Sequence, residues 1–171
     1  TGNITTSKTL DVTDSVSAAN LTNEGSVSVG GTLTVSGDVS NTNTITVVGK
    51  VIAEDVTNSG NLTFRNGAEI NDFINNGSAY ITGSTSANNI TNNEEKIFNI
   101  TGDVIAQNIT NKGDMDITGN AAAEVLILNS AALDVTGTLT TVDFTNNGTA
   151  NISENLISTG ILNNTCLLYT S

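Results

Sequence analysis

An asparagine returns every 17 to 19 residues along almost the whole chain, and few kinds of fold accommodate such a period. The residues are Asn23, Asn41, Asn58, Asn75, Asn92, Asn111, Asn129, Asn146 and Asn163. Each follows an apolar residue by two positions: Leu21, Val39, Val56, Phe73, Ile90, Ile109, Ile127, Phe144 and Ile161. An earlier unit begins at Ile4 and carries Thr6 where the others carry asparagine. A repeat this short has no room for a helix and suits one turn of a solenoid, in which each turn buries its apolar face by stacking on its neighbours.

The positions between asparagines alternate strictly. Two residues after the asparagine stand Gly25, Gly60, Gly77, Gly113 and Gly148, with Asn43, Glu94, Ala131 and Thr165 in the remaining units. The next alternate positions are apolar: Leu10, Val27, Ile45, Leu62, Ala79, Phe98, Met115, Leu133 and Ala150, then Val12, Val29, Val47, Phe64, Ile81, Ile100, Ile117, Val135 and Ile152. A second small column follows at Gly31, Gly49, Gly83, Gly102, Gly119 and Gly137, interrupted by Asp14, Asn66 and Glu154. The unit closes on an aliphatic column (Val16, Leu33, Val51, Val104, Leu139 and Leu156, with Thr85 as the exception) and a small one (Ala18, Ala53, Ala87, Ala106 and Ala123). Period-two alternation marks strands with one buried face, and no helical period competes with it. One three-residue step per unit restores the phase after each circuit.

These columns predict an all-β fold, a parallel β-solenoid of nine to ten coils, about 17–18 residues per coil, with three short sides. Equivalent residues then stack ~4.8 Å apart, which gives a rod roughly 45 Å long. The usual crossover hand of parallel strands predicts a right-handed β-helix; a left-handed hexapeptide solenoid is the alternative. Stacked carboxamides bond to one another, so asparagine survives in the interior. All four phenylalanines (Phe64, Phe73, Phe98 and Phe144) fall in inward columns, and no charged residue falls in the apolar ones. The chain contains no proline, as expected where nearly every backbone N–H bonds to the next coil. The longest unit places its extra residues around "NNEEKIF" at 92–98, where a corner tolerates a bulge.

Residues 1–165 are read as one continuous solenoid segment, uncapped at both ends, and therefore part of a longer rod. The final "CLLYTS", residues 166–171, resembles one reading frame of a transposase adapter from sequencing libraries and is set apart from the fold. It holds Cys166, the only cysteine, which has no partner for an internal disulfide.

The chain has 17 acidic and 5 basic residues, a net charge of −12, and no histidine. That balance argues against nucleic acid and anionic lipid, which need cations to displace counterions. No apolar run reaches the roughly 20 residues of a membrane helix, so direct membrane insertion is not expected. Lys8, Lys50, Arg65, Lys96 and Lys112 are scattered over different coils, which leaves a polysaccharide lyase without its cluster of cationic groups. A hydrolase needs only paired carboxylates ~5–9.5 Å apart. Outward Asp116 and Asp134 could meet that distance, as could any acidic pair in neighbouring coils. "DMD" at 114–116 mimics a metal-binding Asp-x-Asp, but in a strand both side chains point outward. Asp38, Glu54, Asp55, Asp72, Glu124 and Asp143 gather near one corner, where stacked carboxylates could share calcium, although the glycine-aspartate nonapeptide of calcium β-rolls is missing. Thr82, Thr101, Thr118, Thr136 and Ser153 form an outward column of the kind used to bind ice, beside a mixed column of Tyr80, Asn99, Asp116, Asp134 and Asn151. No catalytic, cofactor-binding or metal-ligating residue is assigned.

Through "LTNEG", "VTNSG", "ITNKG", "FTNNG" and the alternating "VTG" and "ITG" units, the chain resembles the repetitive β-helical stalks of secreted bacterial adhesins, both autotransporter passengers and filamentous-haemagglutinin-like exoproteins. The resemblance implies an extracellular or cell-surface rod without catalysis, whose partners are a surface glycan or protein and the rest of the same polypeptide. A carbohydrate-active or carbohydrate-binding β-helix, of the polysaccharide hydrolase, lyase or phage tailspike type, and an ice-binding solenoid are the other classes.

Overall fold

The structure, a computed structural model, describes residues 2–170. The chain winds through twenty-three strands, Ile4–Thr6 to Leu168–Thr170, with no helix among the described residues. Every strand pairing is parallel. Strands of ten successive coils, from Thr9–Val12 to Leu168–Thr170, stack into one sheet, and a thirteen-stranded sheet lies opposite. The protein is a parallel β-solenoid of about ten turns, as the column alignment predicts. In the ladder Val47, Phe64 and Ile81 lie on adjacent rungs with Asn61 beside Thr44 and Ser78, so the sequence columns are columns in space.

The interior is filled by those columns. Val27, Ile45, Leu62, Ala79, Phe98, Met115 and Leu133 are buried on one row, and Val29, Val47, Phe64, Ile81, Ile100 and Ile117 on the next. All four phenylalanines are fully buried, each contributing ~1.5–3 kcal/mol of apolar burial. Phe98 stands on Ala79 in the ladder and stacks on Phe73 of the opposite sheet at 4.7 Å between ring centres, so a small residue on one row makes room for the ring beside it. Among the described residues no charged side chain is buried, and the buried polar residues are eight asparagines, Thr85 and Thr141. Ala68 and Ala121 complete the aliphatic column, and Val35, Ile70 and Thr141 the small one.

The three sides persist along the rod, and from Val51–Asn58 to Leu139–Asn146 two of them run on as single strands of eight or nine residues. The corner there consists of two consecutive outward residues, such as Glu54 and Asp55, and the pairing skips Glu54 and Asn71 before it resumes at Asp55 and Asp72. In the second coil Ser36, Gly37 and Asp38 intervene, and Leu33–Val35 and Val39–Asn41 remain separate. One expectation needs correction, in the last coil. Leu162 and Asn164, not Ile161 and Asn163, pair with Phe144 and Asn146. The corner at Gly160 and Ile161 takes one residue more, with the Ile161 N–H held by Asp143 Oδ1 at 2.8 Å, and the doublet Asn163-Asn164 hides that shift in the sequence.

The longest unit and one of the 18-residue units place their extra residues differently. After Asn92 the chain makes a turn at Glu94–Glu95, closed by Lys96 N–H donating to the Asn93 carbonyl at 3.2 Å. After Ala123 the added residue stays within the strand as a bulge, which exposes Val125.

Candidate functional site

The most regular polar feature is the inward asparagine column. Each side-chain N–H₂ donates to the carboxamide oxygen of the next coil, from Asn23 to Asn41 at 2.8 Å through Asn58 to Asn75 at 3.0 Å and on to Asn146 to Asn164 at 2.8 Å. The eight links are unbroken. Asn75 is typical: its nitrogen also donates to the carbonyls of Gly77 and Ile97, and its oxygen accepts from the Gly77 N–H. In the lengthened coil Asn92 keeps its place by donating to the Lys96 carbonyl instead. Thr6 at the other end bonds locally to the Lys8 carbonyl. Every carboxamide from Asn23 to Asn146 is used up within the protein and none faces solvent, so the column binds the rod together rather than a ligand.

The acidic corner forms a second, outer column. Asp55, Asp72, Asn89 and Asn108 lie on successive rungs. Asp55 Oδ1 accepts from the Asp72 backbone N–H and from Asn71 Nδ2, both at 3.1 Å. Asn89 and Asn108 donate down the column at 2.7 and 2.8 Å. Asp143 performs the same service for the Ile161 N–H. Asp38 takes part through its backbone, donating to Asn20 Oδ1 at 2.9 Å, whereas Glu54 and Glu124 are exposed. Among the described residues no three carboxylate, thiol or imidazole groups converge as a metal site would require.

Asp116 and Asp134 occupy adjacent rungs of the ten-stranded sheet, with Asn99 and Asn151 above and below. Asp114 shares the outward face two residues away. Partial burial, then the charges of Asp134 and Asp114, push the Asp116 carboxyl above the usual aspartate range. The two carboxylates sit side by side on a continuous sheet face rather than across a groove. Four surface depressions lie elsewhere, one at the last coil beside Glu154 and Leu156, two flanking the Glu95–Lys96 turn and one at the corner beside Lys50, and neither Asp116 nor Asp134 lines any of these.

Thr82 and Thr101 pair directly, as the outward threonine column requires. Sequence reasoning missed a second outward row on the other sheet: Thr5, Thr22, Ser40, Thr57, Ile74, Thr91, Thr110, Leu128 and Thr145. Ile74 and Leu128 interrupt it. It also missed that Lys50 forms an ion pair with Glu69, the only one among the described residues. The partners are 19 residues apart in sequence, and their meeting depends on which residues face outward across one coil boundary.

No family model, no curated protein and no solved structure matches the chain.

Proposed function

We propose that this segment is a structural and adhesive rod of an extracellular or surface-exposed bacterial protein, and that it is not itself an enzyme. The observation that carries the reading is the unbroken eight-link asparagine ladder inside a stack of parallel coils. Such a stack spreads load over many equivalent bonds, each coil depending on its neighbours, which suits a spacer. The exterior supports contact rather than chemistry: it is rich in hydroxyls and amides, and its net charge of −12 keeps long rods soluble and apart. A surface glycan or protein is the partner this exterior fits, and the remainder of the same polypeptide continues the stack.

The test joins shape to activity. The purified segment should scatter X-rays as a rod roughly 45 Å long, and beads coated with it should adhere to glycan- or protein-coated surfaces. Release of reducing ends or unsaturated sugars from acidic or neutral polysaccharides would overturn the non-catalytic reading and favour a carbohydrate-active β-helix through Asp116 and Asp134. Thermal hysteresis in freezing solution would instead favour the threonine columns and an ice-binding role.

A further inference from the structure

One coil breaks the outward pattern that its neighbours keep. Six strands of eight or nine residues follow one another along the rod, from Val51–Asn58 to Leu139–Asn146. Five of them turn at most one aliphatic side chain outward: Ile52, Ile74, Ile105 or Val142, and none in Thr85–Asn92. The sixth, Ala121–Asn129, turns out Ala122, Val125, Leu126 and Leu128. Val125 is the residue that the bulge adds, and it is 50% exposed.

Packing of the rod does not call for these residues. Polar side chains hold the same positions in other coils, as Gln107, Thr140, Asp143 and Thr145 do. Leu126 also forgoes the coil-to-coil bond that Asp55, Asn89 and Asn108 make in its column.

The apolar surface extends over the adjoining coils. Ile105, Ala122, Thr140 and Ile157 occupy successive rungs, about 14 Å from end to end. Val125 and Val142 lie one row nearer the corner, between the pairs Ala123–Thr141 and Leu126–Asp143. Ile105, Val125, Val142 and Ile157 are 54%, 50%, 43% and 46% exposed. Exposed aliphatic residues scattered singly are ordinary, whereas a contiguous group with a polar border marks a contact surface.

The border decides what fits. Asp103, Glu124 and Glu154 are exposed beside the patch, and Asp143 is half-buried at its corner. Lys50 lines a depression together with Ile105 but is already paired with Glu69. Beyond Lys112 the sequence holds Asp114, Asp116, Glu124, Asp134, Asp143 and Glu154 and no lysine or arginine. A second copy would set a net charge of −12 against −12, with like-charged borders meeting. A partner with its own positive border gains from the same field.

We propose that this patch docks a protein segment whose aliphatic face is bordered by lysine and arginine, with Val125 and Val142 at the centre and Asp103 and Glu124 facing the cations. The inference names the partner class of the adhesive rod and rests on that reading. An α-helix laid along the rod axis covers the row in about 10 residues.

The test uses an amphipathic Leu/Lys peptide of about fourteen residues, long enough to form a helix. Calorimetric titration of the segment should give saturable binding in the micromolar range. The Leu/Glu counterpart and an oligolysine of equal charge should bind at least tenfold more weakly. In the ¹⁵N-labelled segment the shifted amides should include Ile105, Val125 and Val142. The double variant Val125→Gln with Val142→Gln should keep its melting temperature, since Gln107 holds the same row, and should bind the Leu/Lys peptide at least tenfold more weakly. Val48→Ser, at a valine exposed elsewhere on the rod, should bind as wild type does. Equal binding of either control peptide, or a double variant that binds like wild type, overturns the proposal. A dimer of the free segment that the double variant dissolves would put a second copy on the patch and overturn it too. Peptide binding that the double variant loses, with no adhesion of coated beads, keeps this surface and removes the adhesive rod. Bead adhesion without peptide binding does the reverse.

Discussion

The inward asparagine column and the outward corner column run side by side along the rod, three residues apart in each coil, as in Asp72 and Asn75 or Asn89 and Asn92. Both consist of short polar side chains bonded from coil to coil, yet one is asparagine from Asn23 to Asn164 and the other passes from Asp55 and Asp72 through Asn89 and Asn108 to Leu126 and Asp143. The difference is water. Inside, a carboxamide is the one group that can donate upward, accept from below and satisfy the local backbone at once. A carboxylate there would be an unpaired buried charge, and an aliphatic residue would strand its neighbours. At the half-exposed corner solvent replaces any missing bond, so the side chain is free to vary.

The comparison can be broken from the inside first. Asn75→Ala removes the acceptor for Asn58 and the Gly77 N–H and the donor to Asn92 and Ile97; urea unfolding should register a loss of about 3 kcal/mol. An Asn75→Ala variant within ~0.5 kcal/mol of wild type would falsify the claim that the ladder is structural. Thr85→Val should act in the opposite direction, raising stability by about 1 kcal/mol, because it removes a buried hydroxyl that nothing in the protein satisfies. Asn89→Ala in the outer column, although it cuts bonds to Asp72 and Asn108, should cost no more than ~0.5 kcal/mol, since water takes up both partners.

The smallest expected effect concerns charge. Asp116 is raised above its ordinary value, so the folded protein binds its proton more tightly than the unfolded chain does. The folded state is therefore penalised at neutral pH, and the penalty is relieved as pH falls through the raised value towards the ordinary 3.8. Asp116→Asn should be slightly more stable than wild type at pH 7, with a difference that closes on acidification. A difference in urea midpoint that stays constant from pH 7 to below 3.8 would mean that the carboxyl contributes nothing to this dependence.

Much of the solenoid could be read before any coordinates. Val47, Phe64 and Ile81 are recognisable as one inward row because burial repeats once per coil, and a row of like residues has only one way to stack. The Asn163-Asn164 doublet could not be assigned, because either residue satisfies the column and only the bonding of the Ile161 N–H to Asp143 chooses. Nor could the fusion of two sides in the middle coils, since whether Glu54 and Asp55 bend a strand or end it depends on how the neighbouring rungs hold them.

The surface divides the same way. The exclusion of charge from the interior, the asparagine column and the outward direction of Asp116 and Asp134 follow from period and alternation, which are local properties of the chain. The Lys50–Glu69 pair and the depression beside Lys50 arise from residues on different coils that meet across a corner. Sequence determined what each coil places inside, because burial is decided residue by residue. Only the stacked structure decided what neighbouring coils enclose between them, because an outward side chain is held in place by the residues next to it in space and by no hydrophobic rule of its own.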